Sequence, residues 1–177
     1  MRGCFLAAVV TLALIKAGLA QPGHSDTSNA PPRDWQPAAP RPEISPEFAY
    51  EPCGGLNGES ALVIRADARE GLDGCWARSF HITGGKWYEF SAFFRARSVG
   101  SPRRSIVAKL DWRDAGGRAV PTDTPTVAGY LKGTTGIAET EFPAILDTNS
   151  NGWTEIRGRY RAPGRATQAK VSLHLQW

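Results

Sequence analysis

Between Lys86 and Arg97 the chain alternates without a slip. Tyr88, Phe90, Ala92, Phe94 and Ala96 fall on one parity, with Trp87, Glu89, Ser91, Phe93, Arg95 and Arg97 on the other. A period of two sends every second side chain to the same side of an extended strand, so one face is wholly apolar and its opposite is mixed. A helix would scatter those apolar groups around its axis, and a lone strand would leave them in water. The segment therefore requires a sheet, and the sheet requires a second layer over its apolar face.

The pattern recurs along the chain. In residues 104–113, Ile106, Ala108, Leu110 and Trp112 oppose Val107, Lys109, Asp111 and Arg113. In residues 168–177, Val171, Leu173, Leu175 and Trp177 oppose Lys170, Ser172, His174 and Gln176. Shorter versions occupy 48–52, 60–66 (Leu62 and Ile64 on one face) and 153–161 (Ile156 and Tyr160 inward). Residues 75–82 align Trp76, Phe80 and Ile82, with Arg78 intruding on that face. Between these runs stand turn signals such as Cys53-Gly54-Gly55, Thr83-Gly84-Gly85 and Asp114-Ala115-Gly116-Gly117-Arg118. No ten-residue stretch carries a helical period. About seven short strands joined this way predict an all-β fold, an antiparallel two-sheet jelly-roll β-sandwich. Regularity stops over residues 122–152, where one short strand is expected near 139–142. That stretch is too long for a structureless loop, so it holds either a further strand or a functional loop. Trp177 ends the chain inside a strand, on its apolar face, and the sandwich is expected to lack its last strand.

Two segments precede the strands. Residues 1–20 read as a secretory signal peptide. Arg2 is followed by an apolar run over 4–15, and Gly18-Leu19-Ala20 offers small residues before a cleavage point at Gln21. A run of that length spans about 18 Å as a helix, short of the roughly 30 Å of a bilayer core. No later segment is long and apolar enough to enter a membrane. Residues 21–46 hold seven prolines and are expected to form an extended tether, with residues 47–177 as the sandwich. Export to the outside or the periplasm changes two counts. Removing Arg2 and Lys16 lowers the formal charge from +4 to +2, which weakens any case for a nucleic-acid partner. Cys53 and Cys75 become the cysteines of the mature protein, an even pair in an oxidising compartment, and a disulfide between them is expected.

Catalytic patterns are absent from the sequence. There is no nucleophile elbow, no phosphate-cradling glycine motif and no His-x-x-x-His pair. No cofactor is implied. Asp67 and Asp73, bracketing Gly71, could offer oxygen ligands to a structural Ca²⁺, without the fuller acidic spacing of a dedicated loop. What the strands do offer is a binding surface. Sugar rings stack on aromatic faces and their hydroxyls need planar donors and acceptors. Trp87, Phe93 and Tyr130 are candidate platforms; Lys109, Asp111, Arg113, His174 and Gln176 are candidate polar partners.

Four stretches carry a resemblance. They are Glu51-Pro52 with Gly54-Gly55; Asp-Ala-Arg-Glu-Gly-Leu-Asp-Gly-Cys-Trp at 67–76; Gly-Gly-Lys-Trp-Tyr-Glu-Phe at 84–90; and the Gly-Trp-Thr-Glu and Tyr-Arg-Ala-Pro segments within 152–177. Together they resemble the galactose-binding-like β-sandwich of carbohydrate-binding modules. They are similar, more closely, to the N-terminal sandwich that precedes a carbon–nitrogen hydrolase (nitrilase-type) domain in secreted planctomycete-type proteins. The resemblance implies a non-catalytic glycan-binding module accessory to an enzyme, with the hydrolase domain following Trp177. The alternative it implies is a structural N-terminal domain of that hydrolase, with no ligand of its own. Neither Cys53 nor Cys75 is then the nitrilase nucleophile, which belongs to the absent domain.

Overall fold

The computed structural model describes residues 6–11, 34–67, 69–127 and 132–176, the first of these as backbone only. The strands are β1 (Leu6–Thr11), β2 (Gln36–Ala38), β3 (Glu47–Glu51), β4 (Ala61–Ala66), β5 (Asp73–His81), β6 (Trp87–Arg97), β7 (Ile106–Arg113), β8 (Ala144–Thr148), β9 (Thr154–Arg161) and β10 (Gln168–Gln176). One helical turn, α1 (Pro102–Ser105), links β6 to β7. All strand pairs are antiparallel. They form a six-stranded sheet in the order β3-β4-β1-β6-β9-β8 and a four-stranded sheet in the order β2-β5-β10-β7. The all-β, two-sheet architecture expected from the alternation is the one observed. Among the described residues no helix is long and apolar enough to cross a membrane.

The alternation decides what lies between the sheets. Leu62, Ile64, Phe90, Ala92, Phe94 and Ile156 come from one sheet; Trp76, Ala108, Leu110, Trp112, Val171, Leu173 and Leu175 come from the other, all buried in one cluster. Trp76 ties the layers together. Its Nε1 donates to the Val63 carbonyl of β4 at 3.2 Å, and its ring meets Phe48 edge-on at 5.4 Å between centroids. In the turn that carries the chain from β5 in one sheet to β6 in the other, Gly85 takes φ 75°, a conformation that favours glycine. The Asp114 turn forms as its sequence suggests, with Asp114 Oδ1 accepting from the Gly116 and Arg118 amides at 2.9 Å each.

Three features differ from the sequence reading. Trp35, inside the stretch read as tether, is 2% exposed in the core, where its indole meets the Phe80 ring edge-on. Beside it β2 pairs with β5, and Arg69 donates to the Glu43 and Ser45 carbonyls at 2.9 and 3.0 Å. Residues 34–46 are thus fastened to the body by a buried ring and polar contacts that composition alone conceals. Second, the irregular stretch contains β8, an edge strand on β9. Glu141 of this stretch bridges Leu110, and Ala119 just before it bridges Arg113, so the outer edge of β7 gains partners at both points, while Ile137 bridges back to Pro121. Third, the expected Cys53–Cys75 disulfide is not formed, and both cysteines are free thiols. Cys53 is exposed in the turn after β3, while Cys75 is buried in β5, in the other sheet. Cys75 stands level with His174, on the face turned away from the core. The two side chains belong to different layers, and burial raises the Cys75 thiol above its ordinary value. Residues 1–5 and 12–33, most of the leader and tether, lie outside the described residues, as does Trp177.

Candidate functional site

The candidate residues fall on two surfaces facing opposite ways. Trp87 and Phe93 project from β6 on the outer face of the six-stranded sheet. Lys109, Asp111 and Arg113 of β7, with His174 and Gln176 of β10, project from the outer face of the four-stranded sheet; in the β7–β10 register Lys109 stands level with Ser172, Asp111 with Lys170 and Arg113 with Gln168, while His174 is level with Val107. The core separates the groups, with the sheets about 10 Å apart. Tyr130 lies outside the described residues.

On the six-stranded face, β6 and β9 run side by side and bring their outward residues together. Glu89 stands level with Arg159, Ser91 with Arg157, and Phe93 with Glu155. Trp87 is 58% exposed, an unusual state for so large an apolar ring. The Arg159 guanidinium sits over it at 5.3 Å from the centroid, a cation–π contact that holds the indole while more than half of the residue stays exposed. Arg157 bridges to Glu155 at 2.7 Å and to Glu89 at 3.5 Å, while Ser91 Oγ donates to Glu155 at 3.3 Å. At the far end Phe93 packs on a small cluster of Ala61, Val63 and Trp153, and Arg95 covers the Trp153 ring at 4.8 Å. The surface thus runs from an open indole, across fixed donors and acceptors, to a packed apolar patch. Sequence reading found Trp87 and Phe93 but missed Glu89, Glu155, Arg157 and Arg159. The same alternation places those four outward; only the β6–β9 pairing places them beside the indole.

The four-stranded face is more closed. Asp111 accepts from the Thr140 hydroxyl at 2.6 Å and pairs with Arg113 at 3.3 Å, and Gln176 Nε2 donates to the Arg104 carbonyl at 3.3 Å. His174 is half-buried, its Nε2 3.2 Å from Ser172 Oγ and its Nδ1 3.6 Å from Asp73 Oδ1. The second separation is too long for a hydrogen bond, and both atoms are buried with no partner among the described residues. Burial and then the Lys109 charge lower the His174 pKa, against the pull of Asp73. The line Asp73–His174–Ser172 has the order of a hydrolytic triad. Ser172 is only 5% exposed, however, which leaves a substrate carbonyl no approach to its hydroxyl. Asp67 and Asp73, the calcium candidates, each have a partner of their own. Asp67 is held by Arg69 Nε at 2.9 Å and Asp73 faces His174. Among the described residues no group of three or more His, Cys, Asp or Glu could hold a metal ion.

Two solved structures share this fold. One is the enzymatically active domain of bacteriophage CBA120 tailspike protein 4, with a TM-score of 0.53 and 10% identity over 81% of this chain. The other comprises the CBM22-1–GH10 modules of Clostridium thermocellum endo-1,4-beta-D-xylanase 10B complexed with xylohexaose. It has a TM-score of 0.50 and 16% identity, again over 81% of this chain. The chain spans 17% and 23% of the lengths of these two proteins. Such identities speak for the fold alone. No family model and no curated protein matches the chain.

Proposed function

We propose that this chain is an exported, non-catalytic carbohydrate-binding β-sandwich that serves an enzyme, and that it holds a glycan on the outer face of its six-stranded sheet. The observation that carries the reading is Trp87, 58% exposed and fixed from one side by Arg159. An exposed indole held by a cation gives the apolar face of a sugar ring a platform that is already ordered, so little side-chain entropy is lost on binding. Glu89, Glu155 and Arg157, ordered by their ion pairs, supply planar groups for the hydroxyls. The clostridial structure, complexed with xylohexaose, makes xylo-oligosaccharides the first ligands to try.

Phe93 and its cluster with Val63 and Trp153 favour a second reading. In it the same face packs on a covalently linked carbon–nitrogen hydrolase domain and binds no sugar. Calorimetric titration with xylohexaose, backed by retention on a panel of polysaccharides, separates the two. The glycan reading expects saturable binding that weakens at least about tenfold in Trp87→Ala, equivalent to about 1.4 kcal/mol. Failure of the wild-type chain to bind any polysaccharide would sink it.

A further inference from the structure

The six-stranded sheet has an unusual centre. β1 lies between β4 and β6 and is antiparallel to both, so β4 and β6 run parallel to each other and share no pairing of their own. The register sets Ala8 level with Ile64 and Ala96, and Val10 level with Leu62 and Phe94. Those partners lie on the core side, and Leu62, Ile64 and Phe94 are each at most 2% exposed. At the alternate positions Ala7 is level with Arg65 and Arg97, and Val9 with Val63 and Arg95. Yet β1 comes from the middle of the apolar run that reads as an export leader. Cleavage after Ala20 would cut the strand's covalent link to the body.

Without β1 the sheet keeps a gap one strand wide, with β4 and β6 about 9.6 Å apart at two interstrand spacings. Both strands would then show rows of unpaired amides and carbonyls beside open core. Simple closure would move each strand through packed side chains and would create a parallel pair.

We propose that the gap between β4 and β6 is a strand-acceptor site for an extended segment of a partner polypeptide. The incoming strand runs antiparallel to both neighbours and forms ladders on its two sides. Ordinary strand addition at a sheet edge gains only one. Inward positions between Leu62 and Phe94, and between Ile64 and Ala96, call for small or medium apolar residues. The outward position between Arg65 and Arg97 calls for an acidic one. Arg65 is already engaged by Glu47 and Glu51, whereas Arg97 has no ion pair among the described residues. The inference rests on removal of the leader, one part of the reading above, and is independent of glycan binding.

The test uses the full-length chain carrying a protease site within residues 21–33. After nicking, the leader fragment is expected to stay with the body through gel filtration. A fluorescent peptide with the sequence of residues 5–12 should then replace it saturably. The same peptide carrying Val9→Pro cannot donate to the ladder and should exchange at least about tenfold less; Ala7→Glu should bind more tightly than Ala7→Lys. Loss of the fragment with no change in the body's melting temperature would overturn the proposal, as would equal uptake of the proline peptide. Nicked chains that dimerise and refuse the peptide would make a second copy the occupant, which also overturns it. The intact mass of the exported protein separates the two readings. A chain that keeps residues 1–20 ends this inference and leaves the glycan titration untouched.

Discussion

His174 shows how much a residue's surroundings outweigh its identity. Sequence parity puts it on a polar face, and in the structure it is outward but half-buried. Cys75 of β5 stands level with it on one side and Val107 of β7 on the other, with Asp73 and Lys109 one outward position along their strands and Asp111 two. Burial and Lys109 disfavour the imidazolium more than Asp73 and Asp111 favour it, so its pKa falls below the ordinary value. In the unfolded chain the imidazole titrates near the usual value of about 6.5. Below that pH the unfolded state binds the proton more readily than the folded one. The contribution of His174 is therefore fully present above about pH 6.5 and is lost as the pH falls toward the depressed folded value. Urea unfolding midpoints measured from about pH 7.5 down to pH 5 should decline. The decline should be shallower in His174→Gln, and an unchanged slope in that variant would contradict the assignment. Phe93 and Trp87 teach a related point. Both were visible as outward aromatics, but parity says nothing of exposure, and Phe93 is packed where Trp87 is open.

Among the elements, those that could be read in advance are the ones that bury a single face over many residues. β6, β7, β9 and β10 each repeat the two-residue period for eight residues or more, and each lies about where the alternation puts it. The others lack that signal for definite reasons. β2 is three residues long and contains Pro37, while β8 is mostly exposed on the edge of its sheet. The segment around β1 is apolar on both parities, as a leader or a strand buried on both faces would be. What holds β2 in place is its neighbour. Trp35 is 2% exposed and meets Phe80 at 6.3 Å, and Arg78 pairs with Asp34 at 2.9 Å while lying over the Phe80 ring. Trp35→Ala should cost about 3–5 kcal/mol in denaturant unfolding. The indole Nε1 is buried without a partner among the described residues, so its removal forfeits no bond. Trp35→Phe should therefore recover most of the loss. A negligible cost for the alanine variant would mean that residues 34–46 are a tether after all.

At the scale of the whole molecule, a two-sheet sandwich presents two outer faces with a packed core between them. Side-chain parity assigns a residue to the outside without saying which outside, because that depends on the sheet its strand joins. For this reason Trp87 and Phe93 could be grouped in advance with Lys109, Asp111, Arg113, His174 and Gln176, although the structure sets the groups back to back. Strand order is fixed by long-range pairing, β6 with β9 and β7 with β10, and no local pattern encodes it. The separation has a measurable consequence. Residues that share no partner and lie more than about 7–10 Å apart contribute additively. If the glycan lies across Trp87, Asp111→Ala should leave its affinity unchanged, and the double variant should bind like Trp87→Ala alone. In stability the two losses should sum to within about 0.5 kcal/mol. Asp111→Ala breaks the Thr140 hydrogen bond and the Arg113 pair, and these lie on the layer opposite the indole. Should Asp111→Ala weaken glycan binding as much as Trp87→Ala does, the ligand would have to sit on the four-stranded face, with Trp87 acting only through the fold.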